Sequence, residues 1–380
     1  MKRKLLATLL TATMCLSLVA CGTSKTVTSE SASTKNTTTE TTNDAMTKDD
    51  TASVNASKAS TSDDVVSEGT SAETAEKSLS GKVVVYMPSP SGLNEKYVAD
   101  FQEKTGVEVE LFEGTTGEIL ARLEAEKDNP VADVVVLASW ADGLSMKESG
   151  QLQSYVPENS DKVYENWIDS ESMLFGTSAS ALGVIYNTTL VESLDADWLE
   201  LADTKYQDMI AIPDPEKSGS CKDFLSGYIY SNGEEGWKTW EDLSNIGMVV
   251  PGANKAALEA VTTGEKAILV AGVDYNAYAS IDKGEPLAVY YPKSGTVINP
   301  RPAMILNSSS NVENAQAFID YLLSDDAQQL VADAYLLPGR SDIQCDNRSN
   351  VADIPTFDLD WEWMMNNSDD IAAKLNSLCQ

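Results

Sequence analysis

From residue 82 onward, short runs of consecutive apolar residues alternate with stretches that have helical spacing. The run 82–87 (KVVVYM) is nearly continuous in apolar residues, as a strand buried on both faces requires. It breaks at 88–92 (PSPSG), and 93–105 then places Tyr97, Val98 and Phe101 on one face of a predicted helix. A strand over 107–112, a helix over 116–127 with Ile119, Leu120 and Leu123 inward, and a buried strand over 132–137 continue the series. Such alternation predicts a mostly parallel sheet with helices on both faces. Ligands in sheets of this kind lie beyond the carboxyl ends of the strands, so the loops carrying Ser89, Ser91 and Ser139-Trp140 are expected to face one crevice.

A second series begins with the strand 183–187 (GVIYN) and reaches 210–220 (IAIPDPEKSGS). There three apolar residues end at Pro213, and Pro215 prevents the strand from continuing. Ser218, Gly219 and Ser220 precede a helical pattern, which puts two hydroxyls and a glycine where free N–H groups and the positive end of a helix dipole favour an anion. A serine in that place is also an ordinary helix cap, and both readings are open. Trp237 and Trp240, three apart on a helix, read as core, and the strand 267–273 ends at Asp274-Tyr275. Strands at 287–291 and 303–306 return toward the first series. Amphipathic helices follow at 315–323 and 327–337, with helical segments at 361–365 and 371–378 expected to pack on the outside. About 300 residues exceed one compact core, so two lobes are expected: 79–182 with 296–380, and 183–295 between them.

The N-terminal part differs in kind. Lys2, Arg3 and Lys4 precede an apolar run over 5–20 that is too short to span a bilayer, and 1–20 reads as a secretory signal. The sequence Leu18-Val19-Ala20-Cys21-Gly22 resembles the lipobox of bacterial lipoproteins, which implies that Cys21 is acylated and anchors the chain on the outer face of the membrane. Between 22 and 78, 25 of 57 residues are Ser or Thr and none is aromatic, so 21–78 is expected to be a disordered tether. As a flexible coil it would reach roughly 40 Å.

Charge and composition narrow the chemistry. Residues 79–380 hold 19 basic and 49 acidic side chains, a balance of −30 that argues against nucleic acid as a partner while leaving room for local capture of a small anion. The chain has no histidine, which excludes Ser-His-Asp and Cys-His catalysis and His-ligated metal. Of Cys221, Cys345 and Cys379 at least one stays unpaired within the chain, and no CxxC spacing occurs. A secreted hydrolase is the rival reading. It would rest on an S-x-x-K at 280–283 and a K-S-G at 293–295, but these nearly touch, whereas penicillin-recognising enzymes keep them far apart.

Taken in order, the ADVVV strand, GVIYN, the DW-x-x-LAD-x-KY segment at 197–206, IAIPDPEKSGS, YYPKSGT at 290–296, FIDYLLSDDAQ at 318–328 and LPGRSDI at 337–343 resemble the extracellular solute-binding proteins of ABC importers. The nearest branch is the one that contains ferric-ion-, phosphonate-, sugar-phosphate- and thiamine-binding members. The resemblance implies a two-lobe α/β clamp of the periplasmic-binding-protein type, a permease partner, and no catalysis or cofactor; the chain is expected to act as a monomer. Ferric-binding members hold metal with a His or Glu in the first lobe and two adjacent tyrosines in the second. Here Ala138-Ser139-Trp140 replaces the acid and Asp274-Tyr275 leaves one tyrosine, so no metal site is expected. The anion half carries over better, onto 177–180 with Ser178 and Ser180 and onto Ser218, Gly219 and Ser220. Asp274 is expected to accept from an amine or sugar hydroxyl, and Trp140 to cover part of a small anionic ligand. Structural alternatives stand beside these roles: Trp140 and Tyr275 as packing aromatics, Asp274 as a cap, and Ser89 and Ser91 as turn closures.

Overall fold

The computed structural model describes residues 79–88 and 90–379. The signal peptide, Cys21, the tether up to residue 78 and Ser89 lie outside the described residues. The first elements are β1 (Lys82–Met87), α1 (Ser91–Thr105), β2 (Glu108–Glu113), α2 (Thr116–Ala125), β3 (Val134–Val136), α3 (Trp140–Glu148) and β4 (Leu152–Gln153). After the long β5 (Phe175–Asn187) come β6 (Ile210–Ala211), α4 (Gly219–Asn232), α5 (Gly236–Asn245), α6 (Asn254–Thr262), β7 (Ile268–Val273), α7 (Asp274–Asp282) and β8 (Leu287–Tyr290). The chain ends with β9 (Ile298–Leu306), α8 (Val312–Leu322), α9 (Asp325–Asp333), β10 (Leu337–Pro338) and α10 (Trp361–Leu378).

The strands are joined in the order β2-β1-β3-β9-β5-β7-β6, with β4 on β9 and β8 and β10 on β5. The valine-rich β1 lies between β2 and β3, where Val83 and Val85 are fully buried, which is why its apolar run needs no polar alternation. Through Ala181, β5 pairs with β9; from Leu182 it pairs with β7 and β8. That single strand therefore belongs to two ladders, and the molecule is a two-lobe α/β fold with β5 crossing between the lobes.

Two expectations are corrected in detail. The ladders β1-β2, β1-β3 and β6-β7 are parallel, but every ladder involving β5 or β9 is antiparallel, so the sheet is mixed. Strands that run between lobes are not bound to the βαβ crossover that enforces parallel pairing. In addition, β5 begins at Phe175, well before the predicted 183–187. Its first half (FGTSASA) has little β-propensity, but the strand is buried and tightly packed: a Cβ on Gly176 would lie 2.9 Å from Trp167 Cβ.

The C-terminal segment departs from its expected place. One continuous helix, α10, replaces two pieces, with Asp360 accepting from the Trp363 N–H at 2.9 Å as its cap. It packs on α4 and α5 of the second lobe as well as on α3 of the first. Just before it, the Phe357 ring joins Phe224 and Tyr228, beside Trp198 and Trp240. The segment from 296 is thus not confined to the first lobe, because its aromatic residues find their burial on the second. Trp237 and Trp240 are core residues, as expected. Cys221, Cys345 and Cys379 are free thiols, the first two buried.

Candidate functional site

The lobes face each other across a cleft of about 860 Å³. Its walls are the loop after β1 (Pro88, Pro90, Gly92), the turn into α2 (Gly114, Thr115, Thr116), Ala138 after β3, and the starts of α4 and α6 in the second lobe. Tyr275 of α7 and Arg301 of β9 also line it. The strand ends expected to share a crevice do share one.

The start of α4 is built as a polar cradle. Pro213 and Pro215 end β6, and Ser218 caps α4 by accepting from the Cys221 N–H at 3.2 Å. The Ser218 hydroxyl donates to Asn254 Oδ1 at 2.9 Å, and Asn254 Nδ2 donates to Ser220 Oγ at 3.3 Å. Two helix starts are thereby tied together at one wall. Ser218 and Gly219 line the cleft; Ser220 lies behind them. On the opposite wall Thr115 opens α2 with a capping box shared with Glu118, and Thr116 Oγ1 accepts from the Ala138 N–H. The two walls touch, since a Cβ on Gly219 would lie 2.8 Å from Ser139 Cβ and 2.9 Å from Thr116 Oγ1.

Several predicted ligand contacts are instead committed to the protein. The Ser139 hydroxyl and the Trp140 N–H both donate at 2.8 Å to the carboxylate of Asp223, a wholly buried residue of α4. The Trp140 ring is buried in the first-lobe core with Tyr86, Ile119 and Leu174. The donors of Ser139 and Trp140, expected to face a ligand, are thus taken up by an internal carboxyl group. Asp274 is likewise saturated. It accepts from the Ala181 N–H (3.1 Å), the Tyr291 hydroxyl (2.8 Å), the Tyr275 N–H (2.7 Å) and Arg348 Nη2 (2.5 Å), with both charged side chains fully buried. Burial works against the Arg348 charge, but Asp274 and Tyr291 outweigh it and raise its pKa, while burial and Asp274 push the Tyr291 phenol up. Ser178 and Ser180 lie within β5, not on a loop, and are buried below the cleft. Ser91 is exposed at the first turn of α1, between cleft-lining neighbours.

Asp223 carries a pH signature. Burial, reinforced by Asp142, pushes its pKa up to about 8 against the hydrogen bonds from Ser139 and Trp140 and the charge of Lys222, which pairs with Asp142 at 2.6 Å. An unfolded aspartate titrates near ~3.9, so the folded state holds this proton more tightly. Stability contributed here is greatest below the unfolded pKa and declines as pH rises toward about 8. The melting temperature is therefore expected to fall between about pH 4 and about pH 8, and Asp223→Asn to flatten that slope. An unchanged slope in Asp223→Asn would show that other groups set it.

Sequence reasoning missed most of the charged lining. Lys96, Lys217, Lys255, Lys283 and Arg301 face the cleft, against Glu259 and Asp333. Among the described residues Lys96, Lys255 and Lys283 have no carboxylate within salt-bridge range. Asn254 was findable, because Pro251-Gly252 precedes it as Pro213 and Pro215 precede Ser218. Arg301 was also marked, as a lone charge in the apolar run INPRPAMIL. Among the described residues no group of three or more Cys, Asp or Glu side chains is placed to hold a metal ion.

A family model described as bacterial extracellular solute-binding protein matches residues 129–367. Among curated relatives, iron uptake protein A1 of Synechocystis sp. is 28% identical over 253 residues, covering 63% of this chain and 70% of its own. A Salmonella typhimurium protein named for 2-aminoethylphosphonate binding is 24% identical over 295 residues, 73% of this chain and 82% of its own. Among solved structures, the periplasmic binding protein AfuA from Actinobacillus pleuropneumoniae, with exogenous fructose-6-phosphate bound, aligns with a TM-score of 0.71 at 22% identity, covering 77% of this chain and 97% of its own. Iron-bound HitA from Pseudomonas aeruginosa aligns with a TM-score of 0.69 at 20% identity, covering 77% and 99%. These likenesses agree with the two-lobe fold described above.

Proposed function

The chain belongs to the family of bacterial extracellular solute-binding proteins, and on that premise we propose that it captures a small organic oxyanion, a phosphonate or phosphorylated compound, between its lobes for delivery to the permease of an ABC importer. It does so without transforming the ligand, held at the membrane by a lipid on Cys21. The charge of the cleft carries this reading: five basic and two acidic residues line it, in a chain with 27 basic and 59 acidic ones. Positive charge concentrated against so large an opposing balance supports an anionic occupant. The joined starts of α4 and α6 supply backbone N–H groups suited to phosphoryl oxygens, with the Ser218 and Asn254 side chains holding the two helix starts together.

Thermal unfolding with inorganic phosphate, 2-aminoethylphosphonate and fructose 6-phosphate tests the proposal. At least one should raise the melting temperature in a concentration-dependent way and be recovered intact, as mass action requires of a binder. Recovery of a cleaved product would favour the hydrolase. If iron instead produced a visible ferric-phenolate band that disappears in Tyr275→Phe, the cargo would be iron and the anion reading would be lost.

A further inference from the structure

We infer that Arg301 grips the anionic group of the ligand and that Tyr275, from the opposite lobe, positions its guanidinium; this rests on the anion reading above. Arg301 stands on β9 between Pro300 and Pro302, in a strand that is otherwise apolar toward its C-terminal end. It is only 4% exposed, and what it presents faces the cleft. Its guanidinium carbon lies 5.0 Å from the centroid of the Tyr275 ring, within cation–π range. The four lysines of the cleft are compact charges on flexible stems, suited to drawing an anion in. A guanidinium held against a ring is a pre-organised fork that can meet two terminal oxygens at once.

A second observation comes from the same strand pair. Ser178 lies opposite Arg301 in the β5-β9 ladder, and Ser180 lies opposite Asn299 one rung along, on the same face by strand alternation. Ser180 Oγ and Asn299 Oδ1 are buried with no hydrogen-bond partner among the described residues, while Asn299 Nδ2 donates to the carbonyl of Ala138, a cleft residue. Buried polar atoms are ordinarily satisfied, so this face is not finished by protein groups alone: the Ser180 hydroxyl can donate to a ligand oxygen, whereas Asn299 Oδ1 can only accept and calls for a hydroxyl or amine on the same ligand. The ligand class is an oxyanion with at least two terminal oxygens on one centre: phosphoryl, phosphonyl or carboxylate. Because Arg301 and Tyr275 belong to different lobes, an anion bound there also favours their approach.

Calorimetric titration of the full chain with inorganic phosphate, 2-aminoethylphosphonate and fructose 6-phosphate tests this, using the wild type, Arg301→Met, Arg301→Lys, Tyr275→Leu and Tyr275→Phe. Arg301→Met should weaken the best-bound probe about 100-fold or more. Arg301→Lys keeps the charge but loses the fork, and should weaken it about tenfold. Tyr275→Leu should also weaken it about tenfold, and Tyr275→Phe, which keeps the ring against the guanidinium, should restore it to within about twofold. If the wild type binds no anion, the functional reading falls and this inference with it. If the wild type binds but Arg301→Met matches it within about threefold, the inference alone falls, leaving capture to the lysines and helix starts. Should Arg301→Met fail to fold, Arg301→Lys decides: affinity equal to the wild type overturns the inference.

Discussion

Arg348→Met is expected to destabilise the protein by about 3–5 kcal/mol, among the largest effects of any single change. The Arg348 guanidinium meets Asp274 at 2.5 Å with neither side chain exposed, and its Nη1 donates to the Tyr335 carbonyl at 2.6 Å. Removing it leaves a carboxylate in the interior with three weaker donors and no opposing charge. The position magnifies the loss, because Asp274 also accepts from Ala181, the residue at which β5 leaves one ladder for the other. Asp274→Leu combined with Arg348→Met should recover most of the deficit, since a buried pair removed together strands no charge. Urea unfolding decides the matter. A single variant losing less than about 1 kcal/mol, or a double variant worse than the single, would contradict the assigned role.

Gly219→Val is expected to reduce ligand affinity by about 100-fold. The side chain would enter a space where Ser139 Cβ and Thr116 Oγ1 of the opposite lobe already stand 2.8 and 2.9 Å from the position of its Cβ. It can be relieved only by moving the lobes apart. Helix propensity offsets little of this: valine in place of glycine favours a helix interior by only about a few tenths of a kcal/mol, and Gly219 is the first residue of α4. X-ray scattering should show a larger radius of gyration in the presence of ligand than the wild type has. Wild-type affinity in Gly219→Val would mean that this wall contact is not needed for capture.

Much of the scaffold was legible because it rests on local pattern. The run KVVVYM became β1 with the same bounds, and the Pro-interrupted stretch before Ser218 became the start of α4 at a cleft wall. What failed were inferences about which polar groups remain available. Ser139 and Trp140 do follow a strand end, but Asp223, 84 and 83 residues away, takes their donors, and no local signal announces a partner so distant. Asp274 likewise looked like a ligand acceptor at a strand end until Arg348 and Tyr291 filled its oxygens. The strand was expected to begin only at 183, with Ser178 and Ser180 ahead of it in a stretch matched to the family's anion site; in the structure that stretch is the buried first half of β5. Arg301 and Asn254 were visible as an isolated charge and a turn-helix junction. Their meaning came only when the fold set them around one cleft.

A clamp joined by two strands alone could swing like a door on its pins, through any angle. The 18-residue helix α10 rests on α3 of one lobe and on α4 and α5 of the other. It is pinned by Lys222 to Asp369 at 3.1 Å, by Asn376 to Asp214 at 3.1 Å, and by Lys374 at 3.8 Å from the Trp237 ring centroid. To swing, one packed face must slip past another, and interlocked side chains slip in notches rather than smoothly. Any change in the angle between the lobes must therefore slide α10 over α3 on one side or over α4 and α5 on the other.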